Sequence, residues 1–109
     1  VLVHRAQQWL QAHMAEPVRI AELAQKLAVS ERTLVRRFQA ALQQAPLTYL
    51  QNLRSDTARA LLEAGDLSTE QIAQYVGYSD ISSFTRLFRQ RLGFTPAAYR
   101  GRLQLPQES

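Results

Sequence analysis

The chain repeats itself at a spacing of about 50 residues, and few folds accommodate that repeat. Ala24, Leu27, Val29 and Ser30 recur 49 positions later as Ala73, Val76, Tyr78 and Ser79. Leu34, Phe38, Leu42, Pro46 and Tyr49 recur 50 positions later as Phe84, Phe88, Leu92, Pro96 and Tyr99. The one extra residue therefore falls just after Ser79. Each copy reads as a short helix, a tight turn and a longer helix, followed by a helix opened by proline. That order has the logic of a helix-turn-helix. A small residue (Ala24, Ala73) lets the second helix cross close by, and a second small residue four positions on (Ala28, Gly77) occupies the turn. Glycine adopts a left-handed turn freely, so Ala28 is expected to carry strain of about 1 kcal/mol. Leu34 and Phe84 then lock the second helix of each copy onto the first.

Helical spacing governs the rest of the chain, and no strand-length run alternates apolar with polar residues. The spacing predicts seven helices: about Leu2 to Met14, Ile20 to Leu27, Glu31 to Gln43, Pro46 to Ala64, Thr69 to Val76, Asp80 to Leu92 and Pro96 to Leu103. Ser30 is a good N-cap for the third, Ser68 with Gln71 forms a capping box for the fifth, and Gly93 closes the sixth. The expected architecture is all-α, with helix-turn-helix lobes at 1–45 and 66–103, a linker helix at 46–65 and a polar tail at 104–109. The absence of a starting methionine, together with that tail, suggests a piece of something longer, although removal of a tag would look the same.

Composition removes several classes of function. The 109 residues include no cysteine, which excludes disulfides, thiolate metal sites and cysteine nucleophiles. No stretch approaches the length of apolar sequence needed to span a membrane, and the first residues lack the layout of a signal peptide. Twelve of the 13 basic residues are arginine, the formal net charge is +4 and the pI is about 10.1. Arginine's planar fork matches phosphates and guanine edges, so this balance favours a phosphate-bearing partner.

Placement selects the residues that would meet such a partner. On the third helix, the side opposite Leu34, Phe38 and Leu42 carries Arg32, Val35, Arg36 and Gln39. The N-terminal part of the second helix of a helix-turn-helix is the part that meets base edges. Arg36 is the favoured base reader, toward guanine. Arg32, one turn earlier, can join it in the major groove or grip a phosphate, and Val35 can press on a thymine methyl. Arg37 lies beside the apolar stripe, where pairing with a carboxylate or the backbone is favoured over a phosphate contact. On the sixth helix Phe84, Leu87, Phe88 and Leu92 point inward, while Ser82, Thr85, Arg86 and Arg89 point away. Arg86 answers to Arg36 at the 50-residue offset. Thr33 and Ser83, near helix N-termini, and Arg54 on the linker are further candidates for phosphate contacts. Arg59 is expected at the surface, paired with Glu63.

The sequence resembles the DNA-binding domain of AraC/XylS-type bacterial transcription regulators. The residues that carry the resemblance are the run from Ser30 to Phe38, Pro46, Tyr49, Arg54, Ala58, Leu61-Leu62, Ile72-Ala73, Val76 to Asp80, Phe84, Phe88, Gly93 to Pro96 and Tyr99-Arg100. Together they cover the chain from about Leu2 to Leu103. The resemblance implies base contacts at Arg32, Val35 and Arg36 in the first lobe and at Ile81, Ser82 and Arg86 in the second. It also implies gene regulation in the bacterial cytoplasm at the nucleoid, contact with RNA polymerase, and an N-terminal effector or oligomerisation domain beyond this chain. Gln43 departs from the family's usual glycine, and Ser55 stands where an apolar residue is usual.

A linker of about 19 residues spans roughly 28 Å at 1.5 Å per residue, and successive major grooves on one face of DNA lie about 34 Å apart. One chain is thereby expected to enter two adjacent major grooves of double-stranded DNA at a non-palindromic promoter site. A rigid linker would require bending of the DNA, costing on the order of 1–6 kcal/mol.

An enzyme finds no support: there is no nucleophile elbow, phosphate-cradling loop or spaced set of metal ligands, and nothing calls for a cofactor. Alkyl-transfer DNA repair proteins carry a similar two-lobe domain, but their chemistry needs cysteine. A module that binds acidic protein would use Trp9, Tyr49 and Tyr99 as a patch, yet their helical spacing favours core packing.

Overall fold

A computed structural model describes residues 1–103, and every regular element among them is an α-helix. In chain order these are α1 (Leu2–His13), α2 (Ile20–Lys26), α3 (Glu31–Leu42), α4 (Pro46–Ala64), α5 (Thr69–Tyr75), α6 (Ile81–Leu92) and α7 (Pro96–Leu103). All seven expected helices are present, with ends shifted by at most one residue. One shift has a chemical cause: Asp80 is the N-cap of α6 and not its first residue, because its side chain accepts a hydrogen bond from the Ser83 amide. The expected polar tail, 104–109, lies outside the described residues.

The chain divides into two compact units, Val1–Leu53 and Arg54–Ser109, and the division falls inside α4. In the first unit, α1 and α2 both pack on α3. The core there is Ala6, Leu10, Leu23, Ala24, Leu34, Phe38 and Leu50, the last contributed by α4. Trp9 and His13 stack with ring centroids 4.1 Å apart, and His13 Nδ1 donates to the Trp9 carbonyl at 2.8 Å. Tyr49 meets Phe38 edge-on at 5.4 Å, and its hydroxyl accepts a hydrogen bond from Gln11. These aromatic groups serve packing, as their spacing predicts.

In the second unit α6 packs against α5 and α7. Its core is Ala58, Leu62, Ile72, Ala73, Val76, Phe84 and Phe88. Ring contacts run from Tyr78 to Phe84 (5.6 Å), from Phe84 to Phe88 (5.7 Å) and from Phe88 to Tyr99 (6.0 Å). The Tyr99 hydroxyl donates to the Glu63 carboxylate at 2.6 Å. Glu63, expected beside Arg59, is thus engaged by α7.

Both units turn from one helix to the next in the same way. The Val29 amide donates to the Ala24 carbonyl at 3.0 Å, and the Tyr78 amide donates to the Ala73 carbonyl at 2.9 Å. This is the Schellman closure, which needs a left-handed residue just before the donor. Gly77 supplies it with φ of 97°, and Ala28 is forced into it with φ of 60°. The same asymmetry recurs where α3 and α6 end: Gly93 has φ of 85°, whereas Gln43 has φ of 58°. A side chain in this conformation costs roughly 1–2 kcal/mol, and glycine returns part of that gain through its freer unfolded state. Ala28→Gly and Gln43→Gly should therefore each stabilise the first unit by about 0.5–1 kcal/mol. Denaturant midpoints check this, and an unchanged or lowered midpoint contradicts it.

Candidate nucleic-acid interface

The second helix of each unit is fixed on one side only. α3 is held by Leu34 and Phe38, and α6 by Phe84 and Phe88, all buried. Their N-termini are set by side-chain caps. The Ser30 hydroxyl oxygen accepts from the Thr33 amide at 3.0 Å, and Asp80 accepts from the Ser83 amide at 2.7 Å. With the inner stripe and the start fixed, the helical period determines which side chains face outward.

On α3 those side chains are Arg32, Val35, Arg36 and Gln39. All are exposed except Val35, which is half-buried, and together with Glu31 and Ala40 they line one shallow open groove. On α6 a corresponding groove is lined by Ile81, Ser82, Thr85, Arg86 and Arg89, joined by Gln90 and Thr95. The sequence-predicted residues are therefore brought together within each unit. Arg32, Val35, Arg36 and Gln39 have their counterparts 50 positions on in Ser82, Thr85, Arg86 and Arg89. Each face combines guanidinium groups with short or apolar side chains, a set able to donate bidentately to an acceptor pair and to press on a methyl group.

Gln90 and Thr95 were not singled out from the sequence. Gln90 lies four residues after Arg86, so the helical period could have shown it. Thr95 enters from the turn before α7, where its hydroxyl accepts from the Ala98 amide at 3.1 Å, and periodicity carries no signal there.

The candidate phosphate contacts fare differently. Arg37 is exposed, beside the α3 groove but not among the residues lining it. Thr33 accepts a hydrogen bond from the Ser30 hydroxyl at 2.9 Å, which leaves its own hydroxyl proton free to donate. Ser83 commits both its amide and its hydroxyl to Asp80, the latter at 3.0 Å. Those hydrogen bonds from Ser83 hold the Asp80 carboxyl below the usual carboxylate range, so it is charged at neutral pH. A carboxylate therefore occupies the N-terminus of α6, with the Ser83 donors turned onto it, and an anionic phosphate is disfavoured there.

Arg54 is packed inward. It is 9% exposed, and its guanidinium carbon lies 5.3 Å from the centroid of the Tyr78 ring. A guanidinium engaged with a ring of its own unit is less available to a phosphate than an exposed one. Its place on α4 explains the burial, since Leu50, Arg54, Ala58 and Leu62 follow one another at four-residue steps along one buried stripe.

Comparison with known proteins agrees with this architecture. Residues 23–102 match a family model described as a helix-turn-helix domain. The transcriptional activator RhaS of Escherichia fergusonii is 38% identical over 92 residues, which cover 84% of this chain and 33% of RhaS. The transcriptional regulator CdhR of Pseudomonas aeruginosa is 34% identical over 96 residues, covering 88% of this chain and 29% of CdhR. The chain thus spans about a third of the length of these relatives. Among solved structures, the C-terminal domain of AraT, a response regulator from Geobacillus stearothermophilus, superposes with a TM-score of 0.91 at 28% identity, covering 99% of this chain and 90% of that one. The DNA-binding domain of the global transcriptional factor AdpA, in complex with a target DNA, superposes with a TM-score of 0.87 at 33% identity, covering 97% of each chain.

Proposed function

Because this chain belongs to the AraC-type helix-turn-helix family of transcription regulators, we propose that it binds double-stranded DNA sequence-specifically, placing α3 and α6 in adjacent major grooves of a non-palindromic promoter site. The observation that carries this reading is the repeated face: Arg36 and Arg86 stand at equivalent, exposed positions on the second helix of two helix-turn-helix units. AdpA, which is similar over nearly the whole chain, supports it through its complex with a target DNA.

In this reading Arg36 and Arg86 donate to guanine edges, Arg32 reads a base or grips a phosphate, and Val35, Ile81, Ser82 and Thr85 give weaker discrimination by contact with methyl groups and base edges. Gln39 and Arg89, which line the grooves, complete the DNA-facing sets, and Arg37 beside the α3 groove is a further candidate for a phosphate. The lobes at 1–45 and 66–103 are the two reading heads, and α4 joins them. The named relatives are regulators of transcription, and we group this chain with them and not with enzymes. By the same likeness it acts in the bacterial cytoplasm as part of a longer protein, which contacts RNA polymerase and carries a sensing or oligomerising domain. No helix among the described residues is long and apolar enough to cross a membrane.

A salt titration in the presence of competitor duplex tests DNA binding. Specific binding should survive the competitor while weakening by roughly one log unit per log unit of salt for each phosphate contact. Binding insensitive to salt, or fully displaced by random duplex, would contradict the reading and return the acidic-protein module to consideration.

A further inference from the structure

Arg54 and Tyr78 form a contact that the first unit does not reproduce. Tyr78 occupies the turn between α5 and α6, and the guanidinium of Arg54 from α4 lies over its ring, with 5.3 Å between guanidinium carbon and centroid. The corresponding turn of the first unit holds Val29, which has neither a ring face nor a polar tip. From Tyr78 the ring contacts continue along the inner side of α6 through Phe84 and Phe88 to Tyr99, whose hydroxyl returns to α4 at Glu63. Thus α6 is held between two attachments to one helix, Arg54 at its N-terminal end and Glu63 by way of α7.

The Tyr78 hydroxyl is buried on the Arg54 side of the turn. Burial pushes the phenol above its ordinary pKa and the guanidinium below its own. The phenol is therefore neutral at physiological pH, and the guanidinium, which does not deprotonate in proteins, stays charged. A buried cation over an aromatic face is costly as packing, and an apolar pair would fill the same volume at lower cost.

We propose that Arg54 is a positioning residue: by clamping the Tyr78 ring it fixes the direction in which α6 presents Arg86, and so sets the base preference of the second half of the DNA site without touching DNA. The proposal rests on the DNA-reading function above. It also replaces the phosphate contact expected for Arg54 with an indirect role.

The test is selection of binding sites from random duplex DNA by the whole chain and by its Arg54→Met, Tyr78→Phe and Tyr78→Leu variants, together with salt titrations and thermal melts. Arg54→Met and Tyr78→Leu should each weaken base preference by roughly fivefold or more in the half read by Arg86, a loss of bidentate geometry. The half read by Arg36 and the salt dependence should be unchanged. Tyr78→Phe, which keeps the ring face, should retain the parent preference. A drop of about one unit in the salt slope for Arg54→Met, with both preferences intact, would reveal a phosphate contact and overturn the proposal. Equal loss in both halves, no loss in either, or loss of the fold in both Arg54→Met and Tyr78→Leu would also overturn it. If the parent chain itself shows no preference, the DNA-reading function fails. If the parent chain shows both preferences and the variants keep them as well, the positioning role fails alone.

Discussion

Arg36→Ala should relax base preference in one half of the bound site, and Arg86→Ala should do so in the other. Each guanidinium is exposed on a groove-lining face, and its helix is anchored by buried rings on the opposite side. A bidentate contact to guanine is worth about 1–3 kcal/mol of discrimination, so preference at the affected position should fall roughly 5- to 150-fold. The effect of Arg36→Ala should be the larger in context. On the proposed reading its neighbours Arg32 and Val35 add direct contacts, whereas Ile81 and Ser82 around Arg86 add only weak ones. Thermal stability should hardly change, because neither side chain contributes to a core. Site selection from random duplexes measures the outcome. If both substitutions only lower affinity evenly across all sequences, these arginines hold phosphates and the base-reading assignment is wrong.

Phe84→Ala should have the largest effect on stability. The ring is 1% exposed and is flanked by Tyr78 at 5.6 Å and Phe88 at 5.7 Å, so truncation leaves a cavity in the middle of the aromatic row. Removal of a buried phenylalanine side chain costs about 3–5 kcal/mol, a large part of the stability of a small unit. Hydrogen exchange should show lost protection in α5, α6 and α7. Binding should lose the half-site preference of Arg86 even though Arg86 is intact. Full protection of α6 in this variant would mean that the inner stripe does not hold the helix in place.

Much of this organisation was legible in the sequence because it rests on local chemistry. Ser30, Ser68 with Gln71, and Gly93 act as the caps their residue types suggest. The two turns were readable because Gly77 is the residue a left-handed turn favours, and the register of the repeat assigned Ala28 to the same strained conformation. The outward faces of α3 and α6 followed from the periodicity of four buried residues. Two readings missed what longer-range or overlapping signals decide. Asp80 looked like a helical residue, but an acid three positions before Ser83 is also an N-cap, and that role consumes the donors proposed for phosphate. Arg54 looked available because arginine is usually exposed. Its four-residue spacing from Leu50 and Ala58 placed it on the buried stripe, and its partner Tyr78, 24 positions away, follows from no local rule.

The claim that both second helices enter neighbouring turns of one duplex is tested most directly by methylation interference at guanine N7, on a selected site bound by a single copy of the chain. The account predicts two clusters of interference about 10–10.5 base pairs apart in unlike sequences, the first lost in Arg36→Ala and the second in Arg86→Ala. A single cluster, or two clusters in inverted repeat that require two copies of the chain, would contradict it.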